Sequence, residues 1–261
     1  MSKKPFLSLW LLLAGALVAV LAVAFCDELK IGGYTVKKAP VVDLFVDAVA
    51  KADSVTADSI AIVENAKPLE APVDSAKQTI FIFGDSMTFN LALRLAQYAK
   101  QNGHVIHSVN WDSSNTKIWA DHDTLAYYLD KFKPTQVFVS LGSNELYISK
   151  PETRLPYITR ILEVIDTIPY VWIGPPNWKE DMGINDLLQR TCKPGSFFRT
   201  AGMQFERKKD HVHPTRAASA LWVDSIMRWL PKSAHPFVAE MPSDSIGKAN
   251  PNIVFLKALN K

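Results

Sequence analysis

Cysteine is scarce in this chain: Cys26 and Cys192 are the only two in 261 residues. They stand far apart, one of them inside an apolar N-terminal run, so neither a disulfide framework nor a cysteine metal site is implied. Charge of one sign is also lacking. With 29 basic and 26 acidic residues, the formal net charge is only +3. The charges are scattered, and no basic stripe is interleaved with aromatics, which gives no argument for nucleic-acid binding. Internal repeats and low-complexity tracts are absent as well. What remains is a chain of 48% hydrophobic residues, long enough to bury one substantial core.

The N-terminus carries the one long apolar run. Lys3 and Lys4 precede an uncharged stretch from Pro5 to Cys26, and Asp27, Glu28 and Lys30 follow it. A bilayer crossing needs ~20 apolar residues, and lysines on one flank keep that flank in the cytoplasm. The run therefore reads as an N-terminal membrane helix (residues 1–26) with the rest of the protein outside the cytoplasm. A cleaved signal peptide competes, since Ala22-Val23-Ala24 has the A-x-A form. The length of the run favours the uncleaved anchor. Residues 27–77 read as a tether with one or two short helices, and the two prolines of KPLEAPVDSAK mark a linker.

From residue 78 to 232 the pattern alternates. Apolar strands are expected at Ile80–Phe83, His104–Val109 and Thr135–Gly142, and in YVWIGPP, starting at Tyr170 and ending in a proline corner. Amphipathic helices are expected near 88–101, 118–132, 152–168, 184–190 and 216–230, with a short strand at Ser196–Arg199. Apolar strands alternating with helices predict an α/β fold, a parallel sheet covered on both faces. The tail, residues 233–261, reads as irregular around Pro236, Pro242 and Pro251, with a short amphipathic helix in NIVFLKALNK.

In such a sheet, ligands bind beyond the carboxyl ends of the strands, and the unusual polar residues gather there. After the first strand comes Gly84-Asp85-Ser86, at the mouth of a helix. A serine there meets unpaired N–H groups and can serve as nucleophile and oxyanion donor, although most such residues are only caps. Trp111-Asp112-Ser113-Ser114-Asn115-Thr116 follows the second strand, and Gly142-Ser143-Asn144-Glu145 follows the third. Asn144 can aim its amide N–H across the strand ends. Before the last helix, Asp210 and His213 stand three residues apart. An acid so placed can fix the imidazole tautomer and leave Nε2 free to act as base. His211 is the rival histidine.

GDS, SSNT, GSN and D-x-x-H, in that order and at those strand ends, resemble the SGNH (GDSL-like) hydrolase superfamily over residues 79–230. The resemblance implies a three-layer α/β/α sandwich of flavodoxin-like kind and a serine-esterase mechanism. By motif position it implies Ser86 as nucleophile, His213 as base, Asp210 as its orienting acid, and Ser86, Ser114 and Asn144 around the oxyanion. The family's usual glycine after the second strand falls on Ser114, a departure that touches the loop geometry. Glu145 stands where many members have aspartate and is expected to be a structural hydrogen-bonding residue. No G-x-S-x-G occurs, which argues against the ordinary α/β-hydrolase fold with its nucleophile elbow.

The chemistry implied is acyl transfer through an acyl-serine, without metal or organic cofactor. Asp85, Gly142 and Trp178 are the expected substrate-binding residues, and Trp172 is expected in the core. The expected partners are a small ester or an acylated carbohydrate and, through the N-terminal run, a membrane. Export in a family known for acylated carbohydrates suggests O-acetyl groups on an envelope glycan. An O-acyltransferase with the same triad and a non-catalytic glycan-binding module are the competing functions.

Overall fold

The computed structural model describes residues 71–257, together with the backbone of 28–31 and 34–37. The chain divides into two units, 1–67 and 68–261. In the first, β1 (Glu28–Ile31) pairs antiparallel with β2 (Tyr34–Lys37). Gly32-Gly33 stands between them in sequence, within the stretch read as a tether. The apolar run Pro5–Cys26 and the helices expected within 41–63 lie outside the described residues. No helix among the described residues is long and apolar enough to cross a membrane.

The second unit is a six-stranded parallel sheet. Its strands are β3 (Thr79–Gly84), β4 (Val105–Trp111), β5 (Gln136–Ser140), β6 (Tyr170–Ile173), β7 (Phe197–Phe198) and β8 (Asn252–Leu256), in the order β7-β6-β5-β3-β4-β8. Every neighbouring pair is parallel. Side chains alternate across a strand, and this alternation builds two cores. Phe81, Phe83, Val137, Val139 and Trp172 face one layer; Ile80, Ile82, Phe138, Val171 and Ile173 face the other.

Helices α1 (Thr88–Asn102) and α6 (Arg216–Trp229) cover the second face through Leu91, Leu95, Trp222 and Ile226. On the first face lie α2 (Thr116–Asp121), α3 (Thr124–Phe132), α4 (Leu155–Ile165) and α5 (Ile184–Thr191), with Trp119, Leu125, Ile158 and Leu187 inward. The result is a three-layer α/β/α sandwich.

Two local differences from the sequence reading have clear causes. The single helix expected at 118–132 is two, because His122 takes an extended conformation (φ −121°, ψ 147°) that ends α2. The helix expected from 152 opens as a 3₁₀ turn, Pro151–Arg154, before α4.

The larger correction concerns the tail. It is neither irregular throughout nor helical at NIVFL, which forms the edge strand β8, in register from His107↔Asn252 to Trp111↔Leu256. Upstream, Asn102 and Glu240 exchange backbone and side-chain hydrogen bonds at 2.8 and 2.9 Å. Asp74 N–H donates to Pro236 O and accepts Val238 N–H at its own carbonyl. The domain therefore begins before residue 78 and ends after 232. Parallel pairing with β4 joins residues far apart in sequence, which a local apolar pattern cannot register.

Val254 and Leu256 pack, partly buried, against the first core. Ending the chain at Asn250 is expected to lower the unfolding free energy by about 2 kcal/mol, the burial value of two half-covered aliphatic side chains. Urea unfolding checks this; an unchanged midpoint would show β8 to be dispensable.

Candidate active site

Four loops at the carboxyl edge of the sheet converge. The first follows β3. A Cβ on Gly84 would lie 1.9 Å from the Ser140 carbonyl oxygen, so only glycine lets the ends of β3 and β5 approach this closely. Asp85 N–H then donates to that same carbonyl at 3.1 Å. The turn ends at Thr88, the first residue of α1, and leaves Ser86 at the surface with its N–H accepted by no group among the described residues.

The histidine arrives on a hairpin before α6. Lys208 N–H donates to His213 O at 2.8 Å, and Thr215 N–H to Glu206 O at 2.8 Å. Thr215 caps α6 by accepting Ala218 N–H. At the tip, Asp210 Oδ1 accepts the N–H groups of Val212 and His213, both at 2.9 Å. Its Oδ2 lies 2.9 Å from His213 Nδ1, and His213 Nε2 lies 2.8 Å from Ser86 Oγ. With Nδ1–H donating to the carboxylate, Nε2 is the acceptor of the Ser86 hydroxyl. The hydrogen bond from the His213 ring, backed by the two N–H groups, holds the Asp210 carboxyl well below the usual carboxylate range. His211, with φ 57°, is exposed and outside this chain of bonds.

Serine after the first sheet strand, asparagine after the third and Asp-x-x-His before the last helix are thus brought together on one α/β/α scaffold. This is the arrangement that the resemblance to the SGNH, or GDSL-like, hydrolases led one to expect. No family model matches the chain, and no curated protein matches it by sequence. Among solved structures it is similar to a protein described as lipolytic and of the G-D-S-L family from Desulfitobacterium hafniense DCB-2, at 14% identity and TM-score 0.43, covering 58% of this chain and 99% of that one. It is also similar to BT4096, a gut microbial diltiazem-metabolizing enzyme, at 12% identity and TM-score 0.32, covering 49% of this chain and 35% of that one.

The resemblance implies three oxyanion donors, and they fare differently here. Ser86 N–H is open. Asn144, half-buried, donates one amide hydrogen to Ser114 O at 2.8 Å, which orients the group and leaves the second hydrogen available. Ser114 departs from expectation. Its N–H is taken by Trp111 O at 3.0 Å in a turn where Ser113 has φ 60°. Its hydroxyl accepts Trp119 Nε1–H at 2.9 Å, and the residue is fully buried. Ser114 therefore braces the loop and orients Asn144 through its carbonyl; in this geometry it is not an oxyanion donor.

Two expected substrate residues also move inside. Asp85 is 1% exposed. Gly142, at φ 120°, turns the chain where a Cβ would press on Pro175 at 3.0 Å. Neither surface can touch a substrate. Trp178 remains half-exposed, its Nε1–H donating to Ser143 O at 3.0 Å beside Asn144. Trp172 is buried, as its strand position requires.

Beneath these turns lie two buried carboxyls. Glu145 accepts Thr116 N–H at 3.1 Å and the Thr116 hydroxyl at 2.6 Å, and lies 3.1 Å from Arg154 Nε. This joins the loop after β4 to the turn after β5, the structural role expected of it. Burial raises its carboxyl above the usual range. Thr116 and Arg154 carry no sequence signal for this role; only the fold brings them to Glu145.

Asp85 Oδ1 accepts Met87 N–H at 3.0 Å, while Oδ2 completes no hydrogen bond among the described residues. Burial first, then the nearby charge of Glu145, pushes its carboxyl up to about 7. A carboxyl raised on folding stabilises most below its unfolded value and loses that contribution as pH climbs to the folded value. Unfolding free energy should therefore fall between about pH 4 and 7, by up to ~4 kcal/mol at ~1.4 kcal/mol per unit. Asp210, lowered on folding, acts in the separate window below about pH 4, where stability is lost on acidification. Asp85→Asn should flatten the pH 4–7 slope in urea titrations; an unchanged slope would remove Asp85 as its cause.

Proposed function

We propose that this domain is a serine esterase that removes O-acyl groups, chiefly O-acetyl, from carbohydrate. The observation that carries the reading is the continuous Asp210–His213–Ser86 relay, with separations of 2.9 and 2.8 Å. His213 Nε2 takes the Ser86 proton as Oγ attacks the ester carbonyl. The oxyanion that forms faces the open Ser86 N–H and the free amide hydrogen of Asn144. Collapse breaks the ester C–O bond, and His213 passes the proton to the leaving alcohol. Water, deprotonated by His213, then attacks the acyl-serine and releases the carboxylic acid, and Ser86 regains its proton. Asp210 stays ionised throughout, holding the ring and stabilising the imidazolium.

The support for an envelope glycan is the sequence alone. The run Pro5–Cys26 behind Lys3 and Lys4 favours a body held outside the cytoplasm, where acylated glycans are found.

The test is p-nitrophenyl acetate hydrolysis by the full chain. Ser86→Ala and His213→Ala are each expected to lower kcat/KM by about a thousandfold or more. Asn144→Ala should lower kcat by roughly a hundredfold, about 3 kcal/mol of oxyanion stabilisation. A Ser86→Ala protein that keeps its rate would refute the nucleophile.

A further inference from the structure

Residues 177–182 cross from one catalytic loop to the other. At one end, Arg207 donates to Asn177 O at 3.1 Å and, with its other terminal nitrogen, to Val212 O beside His213. In the middle, Trp178 Nε1–H donates to Ser143 O at 3.0 Å, one residue before Asn144. At the other end, Met182 N–H donates to Leu146 O at 2.8 Å. The segment is thus pinned to both the histidine side and the amide side of Ser86.

On it stands an exposed cation. Lys179 Nζ lies 5.0 Å from the ring centroids of both Tyr147 and Trp178. Those rings meet edge-on, 6.2 Å apart at 73°. Two aromatic faces fix the position of the ammonium without neutralising it. Among the described residues, no carboxylate lies within ion-pairing distance of Lys179. Glu180, next in the chain, is exposed and makes no ion pair with Lys179 among the described residues; Asp181 is occupied, its oxygens accepting the N–H groups of Gly183, Ile184 and Asn185 at the start of α5. Arg207 adds a second positive charge, with its terminal nitrogens on carbonyl oxygens.

Nothing in the cleavage of a neutral ester calls for a cation here. We propose that Lys179, framed by Tyr147 and Trp178, is a subsite for a carboxylate on the saccharide whose acyl group is removed. Each terminal nitrogen of Arg207 is tied to a backbone carbonyl and Asp210 lies near its charge, so the ammonium of Lys179 is the chief cation on offer; a single ammonium matches one carboxylate better than a phosphate, which draws several donors. The inference rests on the esterase reading for its place in the reaction, but its binding consequence can be measured separately.

Two matched pairs test it: the O-acetyl esters of N-acetylmuramic acid and N-acetylglucosamine, and those of galacturonic acid and galactose. Each pair contrasts a carboxylate with a neutral sugar. The full-length protein is expected to favour the acid by about tenfold in kcat/KM, mainly through KM. Lys179→Gln should bring that ratio close to one, and Lys179→Arg should restore most of it. Lys131, also over aromatic rings but at the end of α3 that leads into β5, is the control; Lys131→Gln should keep the ratio. Preference in one pair alone would identify which carboxylate the site accepts.

No preference in either pair would overturn the proposal, as would an equal loss of preference in Lys131→Gln. Calorimetric binding of the deacetylated sugars to Ser86→Ala protein separates the two readings. A carboxylate preference abolished by adding Lys179→Gln supports the subsite whatever the catalytic result. Equal affinities remove the subsite, while Ser86-dependent hydrolysis would still stand.

Discussion

Two buried carboxyls, Asp85 and Glu145, shape the turns that carry Ser86 and Asn144. Burying an ionised carboxylate is costly unless hydrogen bonds or a cation compensate. Glu145 meets that demand with Thr116 and Arg154. Those contacts tie the start of α2, the turn carrying Asn144 and the 3₁₀ turn before α4 into one unit. Asp85 meets it only in part, with Met87 N–H on one oxygen, and burial pushes its carboxyl up to about 7. Its bond nevertheless shapes the turn that projects Ser86.

The exposed half of the site is built in the opposite way. Asp210 is open to solvent and remains ionised because three hydrogen bonds converge on it: two from backbone N–H groups and one from the His213 ring. The hairpin that presents it is closed by backbone bonds at Lys208 and Thr215. A short loop can thereby hold an imidazole within hydrogen-bond reach of a serine 127 positions earlier in the chain. The rigid sheet edge supplies the nucleophile and amide; the hairpin supplies the base. The bridging segment 177–182 touches both, so a change there would alter the fit of a substrate without touching the proton relay.

Much of this was legible in the residues. Strands β3 to β7 and helices α1 and α6 carry apolar patterns strong enough to be read directly, because their burial is set by local period. Ser86, Asn144, Asp210 and His213 could be singled out because each stands at a strand end or helix mouth, where backbone groups are unpaired. Ser114 was misplaced as an oxyanion donor. Its position in the order of motifs is right, yet whether its N–H is free depends on a turn that Ser113 closes with φ 60°. Asp85 and Gly142 failed as substrate contacts for a related reason: proximity in sequence to a catalytic residue says nothing about which side of the turn is covered.

By itself, the sequence determined the α/β class, the order of the catalytic residue types and the edge of the sheet on which they fall, since these follow from periodicity and from the chemistry of chain ends. Only tertiary structure decided that NIVFL is an edge strand, that Glu145 finds Arg154, and that Trp178 and Tyr147 close around Lys179. Each of these depends on partners brought together from distant positions, and a contact between distant segments leaves no local pattern in either of them.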